Sequence, residues 1–144
     1  MTDLSEPFEG FIEHPSAIPL SFRVRRSTPW PWRKAAAPEP GAIGILFQNP
    51  EYIAPGTHLE LAITPRNEVQ SFVGEVVLVR EISGGFQIGV WLNTRADSTR
   101  ARLVERICHM ESYLTTRRLR DGPYLSRETV TRDWAKNFSA RFPS

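Results

Sequence analysis

The sequence predicts a mainly β fold: antiparallel strands closing into a barrel, then two C-terminal α-helices. Three observations carry this expectation. From Ile18 to Leu92, apolar residues recur at every second position in several segments. Tight-turn signals separate those segments, Pro55-Gly56 and Ser83-Gly84-Gly85 among them. Past Asp97 the apolar period lengthens to that of a helix.

Each element has its own justification. Residues 1–15 read as an acidic N-terminal arm, residues 16–95 as the barrel and residues 96–144 as a helical extension. In the first strand Ile18, Leu20, Phe22 and Val24 face one side. Pro19 has no N–H for a ladder, which puts that strand at an edge or a rim. Residues 27–41 hold four prolines and Ala35-Ala36-Ala37, an extended loop with Trp30 and Trp32 flanking Pro31. Ala42 to Gln48 is a short strand with Ile43, Ile45 and Phe47 aligned. Leu59, Leu61 and Ile63 define another.

Val69 to Ile82 is a long strand with Phe72, Val76 and Leu78 on one face, and Gly74 marks a bulge or bend. Phe86, Ile88, Val90 and Leu92 point inward after the glycine turn. Asp97 or Ser98 caps a helix whose stripe is Leu103, Ile107, Met110 and Leu114, widened by Val104 and Cys108. It ends by Asp121-Gly122-Pro123. A second helix opens at Ser126 and carries Val130, Trp134 and Phe138 one turn apart.

Composition excludes several classes. No apolar run approaches the roughly 18 residues of a membrane span. The start, Met1 to Gly10, has acidic residues and no basic ones, unlike a secretory or transit leader. The single cysteine allows no internal disulfide. A cytoplasmic, bacterial-type protein without a membrane partner is expected. Residues 1–94 carry seven basic and ten acidic side chains, and residues 95–144 carry eleven and six. The basic excess thus lies in the tail, where Arg117, Arg118 and Arg120 are the feature behind a nucleic-acid reading. Solvated helix faces account for such runs more often.

No catalytic constellation is visible. His14, His58 and His109 are not at metal-ligand spacing from one another, so no metal is expected. Cys108 lies within the apolar stripe and reads as a buried, inert thiol. No nucleophile elbow, phosphate loop or paired carboxylates stand out, and an enzyme is not expected. Arg23, Arg25, Arg26, Arg33 and Lys34 gather near Trp30 and Trp32, a combination that can hold phosphate and base.

Several segments together resemble the PilZ family, small β-barrels that act as cyclic di-GMP receptors. They are His14-Pro15-Ser16-Ala17-Ile18-Pro19-Leu20, Gly44-Ile45-Leu46-Phe47 and Ala54-Pro55-Gly56-Thr57-His58-Leu59-Glu60-Leu61. Gly74-Glu75-Val76-Val77 and Ile88-Gly89-Val90 follow in the expected order. The resemblance covers roughly residues 11–115 and implies a six-stranded barrel with a helix near its opening. It also implies a non-enzymatic module that controls motility, adhesion or biofilm formation through a partner.

The sequence departs from the family in its ligand motifs. The R-x-x-x-R motif has no counterpart before Ile18, where Glu13 stands. The D/N-x-S-x-x-G motif reads Glu39-Pro40-Gly41-Ala42-Ile43-Gly44, and only Gly44 survives.

These readings define an adaptor that works by protein–protein contact, with direct cyclic di-GMP binding weak or lost. No cofactor is expected beyond that doubtful ligand. Any residual ligand site would use Arg23, Arg25, Arg26, Arg33 and Gly44. Trp30, Trp32, Trp134 and Phe138 are the candidate contact surface, and the helical tail is a candidate for self-association. The alternatives are a receptor that uses the displaced arginines and a nucleic-acid binder that uses the basic tail.

Overall fold

The structure is a computed structural model, and the residues it describes are 10–25 and 42–137. The expectations for Arg26, Trp30, Trp32, Arg33 and Phe138 lie outside those residues. Six strands are followed by two helices, as expected. The strands are β1 (Phe11–Glu13), β2 (Leu20–Val24), β3 (Gly44–Asn49), β4 (His58–Ile63), β5 (Gln70–Ile82) and β6 (Gly85–Leu92). The helices are α1 (Arg95–Asp121) and α2 (Arg127–Asn137).

The strands form one sheet in the order β1-β3-β6-β5-β4-β2. This corrects the expected closed antiparallel barrel in two respects. The two end strands, β1 and β2, do not pair, so the sheet is open. β1 also runs parallel to β3, with Ile12 opposite Ile45, while the other pairs are antiparallel. The acidic arm accordingly ends sooner than expected: Phe11 to Glu13 is a strand, and Ile12 is buried in the core. β2 is an edge strand, where Pro19 placed it.

Alternation set most of the inner face, but Val24 is exposed and Leu78, displaced by a bulge, lies outside the core cluster. Ile43, Ile45 and Phe47 from β3 and its approach are buried with Leu59, Leu61 and Ile63 of β4, Phe72 and Val76 of β5, and Ile88, Val90 and Leu92 of β6. The bulge in β5 falls between Val76 and Leu78, not at Gly74. It leaves Val77 exposed and brings Val79 against the core. Gly74 serves close approach instead: a Cβ there would lie 2.5 Å from Val90 Cγ1 and 2.6 Å from the Trp91 carbonyl oxygen.

Helix α1 starts earlier than expected. Thr94 is its cap, and the Thr94 side chain accepts from the Asp97 N–H at 3.0 Å. Its buried stripe is Ser98, Ala101, Val104, Glu105, Cys108 and Leu114, while Leu103 is exposed. Ala101, Val104 and Cys108 belong to the core cluster of the sheet. Polar bonds fix the contact. Ser98 Oγ accepts from the Ile43 N–H at 3.0 Å, and Arg100 donates to the Ser71 carbonyl at 2.6 Å. The Arg100 guanidinium also lies 4.3 Å from the centre of the Phe72 ring.

Helix α2 folds back on α1. Val130 and Trp134 are buried, and the Arg106 guanidinium of α1 lies 5.1 Å from the Trp134 ring centre. Arg117 ties the two helices by donating to Asp133 of α2 at 2.8 Å, and it also donates to Asp121 within α1 at 2.7 Å. No helix among the described residues is long and apolar enough to cross a membrane.

Candidate functional site

The open seam of the sheet is bridged by the chain itself. Residues 14–19 run from β1 at one edge to β2 at the other. The segment is anchored at both ends. The His14 N–H donates to the Leu46 carbonyl at 2.8 Å, and the Pro19 carbonyl accepts from the Thr64 N–H at 3.1 Å. Beside it lies a cavity of about 550 Å³. Its polar lining includes Glu13, His14, Gln48, Gln87 and His109, and Ile18, Leu20 and Phe47 contribute apolar wall. His109 of α1 reaches the seam by bonding the Glu13 carbonyl through Nε2 at 2.7 Å.

Behind the seam lies a buried polar cluster. His14 Nδ1 is 2.6 Å from Glu105 Oε1, and His14 Nε2 is 2.8 Å from the Ile18 carbonyl oxygen. Glu105 is 0 % exposed, and its second oxygen, Oε2, has no hydrogen-bond partner among the described residues. The Ile18 carbonyl only accepts, so Nε2 carries a proton and donates. Nδ1 faces a carboxyl group, so a second proton lies between Nδ1 and Oε1. Burial alone would lower the His14 pKa. The hydrogen bond to Glu105, that group's charge and the Ile18 carbonyl outweigh it, and the net shift is upward. A buried, proton-bridged His14–Glu105 pair therefore clamps the 14–19 segment to α1.

Cys108 lies one turn beyond Glu105, fully buried. Its donor atom and those of His14 and Glu105 lie within 4.8 Å of one another. Burial, followed by the negative charge of Glu105, pushes the thiol far above its ordinary pKa. Both causes disfavour the thiolate.

The described arginines do not converge on the cavity. Arg23 points outward and donates to Glu60 Oε2 at 2.9 Å. Arg25 is exposed, and its backbone N–H donates to the His58 carbonyl at 2.8 Å. Gly44 is a packing position, since a Cβ there would collide with the Phe11 ring. Trp134 is 3 % exposed and packs within the helix pair, so it offers no surface anchor. In the tail, Arg117 and Arg120 engage Asp121, and Arg118 donates to the Leu125 carbonyl at 3.1 Å. The two arginines hold the Asp121 carboxyl below its usual range, Arg120 contributing most.

Sequence reasoning missed Glu105. Its signal was available: a carboxylate at helical spacing among Ala101, Val104 and Cys108 interrupts an apolar stripe. Its partner was not available, because His14 lies 91 residues away. Compared with known protein families, with characterised proteins and with solved structures, the chain shows no match.

Proposed function

We propose that the protein is a non-enzymatic PilZ-type regulatory or adaptor module in cyclic di-GMP-related signalling. It acts by protein contact in the control of motility, adhesion or biofilm formation, with direct dinucleotide binding weak or lost. The observation that carries this reading is the seam cavity, whose lining among the described residues contains Glu13 and no guanidinium. A doubly charged dinucleotide needs cations there. Each charge-assisted hydrogen bond is worth roughly 1.5–3 kcal/mol. The absence of two amounts to roughly a hundredfold to ten-thousandfold in affinity.

The alternatives draw less support. Arg23 is already engaged by Glu60, which weakens the displaced-arginine receptor. The tail arginines pair with tail acids and carbonyls, which reduces the net basic field a nucleic acid would meet. A contact surface on the tail would use Leu119 and Tyr124, which are exposed at the turn between the helices. Titration calorimetry with cyclic di-GMP tests the reading. The expected result is no saturable heat at micromolar protein, and a submicromolar one-site isotherm would refute it.

A further inference from the structure

We propose that His14, Glu105 and Cys108 form a buried site for one divalent soft-to-borderline cation, zinc in the first instance, which pins α1 to the seam of the sheet. The inference does not depend on the adaptor reading.

Four observations carry it. The three donor atoms lie within 4.8 Å of one another, and all three residues are buried. Tetrahedral zinc with bonds of about 2.0–2.3 Å sets its ligand atoms roughly 3.3–3.7 Å apart, so the three need only small adjustments. The His14–Glu105 separation of 2.6 Å must widen by somewhat under 1 Å, within reach of a Glu side-chain rotation.

His14 is also oriented as a ligand. Its Nε2–H is held by the Ile18 carbonyl, which leaves Nδ1 facing Glu105, with the Cys108 sulfur within 4.8 Å. A ligating histidine typically fixes its second nitrogen on a carbonyl in this way. Glu105 is 0 % exposed, and its Oε2 has no hydrogen-bond partner among the described residues. Two acceptors as close as Nδ1 and Oε1 demand a positive charge between them, and a metal ion can replace the proton. Finally, His14 also lines the seam cavity, so one of the three ligand residues borders an opening of the fold.

Charge balances in both states. Without metal, one proton sits between His14 Nδ1 and Glu105 Oε1 and another on the Cys108 thiol. With it, the divalent ion is matched by a thiolate and a carboxylate beside a neutral imidazole. Binding therefore expels two protons, one from His14 and one from Cys108, and breaks no covalent bond other than N–H and S–H. A thiolate and an imidazole select zinc and cobalt over magnesium or calcium.

The full chain, stripped with chelator under reducing conditions, is titrated with zinc alone and with cobalt alone. The expected result is one ion per chain, a thiolate-to-cobalt charge-transfer band and tetrahedral cobalt bands. Calorimetry in buffers of different ionisation heat should show the release of about two protons. In Cys108→Ser the charge-transfer band should vanish and zinc affinity fall by at least about tenfold to a hundredfold. Circular dichroism establishes that this variant is folded, and Glu105→Gln serves as the second variant, with a comparable loss. Absence of a stoichiometric ion in the wild-type chain would overturn the proposal. So would unchanged zinc affinity in either folded variant, which would place the ion elsewhere on the surface.

Discussion

The His14–Glu105 clamp yields a prediction with a sign as well as a size. Consider Glu105→Gln and Glu105→Leu, studied with chelator present so that a proton occupies the gap. The native pair joins an imidazolium to a carboxyl group at 2.6 Å, both side chains almost wholly enclosed. A glutamine amide can donate to the neutral Nδ1 while Nε2 keeps its bond to Ile18, so one charge-assisted bond becomes a neutral one. The difference is about 1–2 kcal/mol. Leucine leaves Nδ1 facing hydrocarbon and strips the ring of its counter-charge, a loss of roughly 3–5 kcal/mol.

The pH dependence follows from the direction of the His14 shift. Its folded pKa lies above the unfolded value of 6.5. The clamp therefore contributes fully below that value, and its contribution is lost as pH rises through the folded pKa. Urea unfolding monitored by tryptophan fluorescence, at several pH values from mildly acidic to alkaline, reads both quantities. The wild-type midpoint should fall with rising pH through that window, and the Gln variant should lack that component. A wild-type midpoint that climbs over the same range, or a Leu variant as stable as the Gln variant, would refute the reasoning.

Three further outcomes are expected. Gly44→Ala forces a methyl group into the Phe11 ring and should cost about 1–3 kcal/mol in chemical denaturation, whereas an alanine at exposed Leu103 should cost little. Trp134→Ala should destabilise the helix pair by about 3–5 kcal/mol, with hydrogen exchange rising in α2 before it rises in the sheet. Cys108 should resist a thiol reagent in the native protein and react stoichiometrically in denaturant, since it is fully buried and its thiol is held protonated. Rapid native labelling would contradict its placement.

The parts of the fold that were legible in the sequence are those with local causes. Leu59-Glu60-Leu61-Ala62-Ile63 shows its inner face by strict alternation, and its antiparallel partner β5 follows within a few residues. Pro19 marked its strand as an edge because a missing donor has only one place in a sheet. Strand β1 was hidden for the opposite reason. It has three residues, too few for a period, and its parallel partner β3 begins more than thirty residues later. The helix face was misjudged because Leu103 is the more apolar choice, yet what fits against the sheet is the smaller set Ala101, Val104 and Cys108. In the candidate site, the burial of Cys108 was readable from its neighbours. The His14–Glu105 contact depends on how far the sheet rolls, which no local pattern encodes.

Helix α1 spans 27 residues, roughly 40 Å. Its first half is bolted to the sheet through Ser98 and Arg100 and to the seam segment through Glu105, and further along, Arg66, between β4 and β5, donates to Glu111 at 2.9 Å. Beyond that point Arg117 and Arg118 are tied to α2 and to the turn between the helices. The helix is thus a rod gripped at one end and loaded at the other. About ten residues, or roughly 15 Å, overhang the grip, so a tilt of about ten degrees at the grip swings the far end by nearly 3 Å. Small rearrangements at the seam would reach the tip as displacements large enough for another molecule to sense.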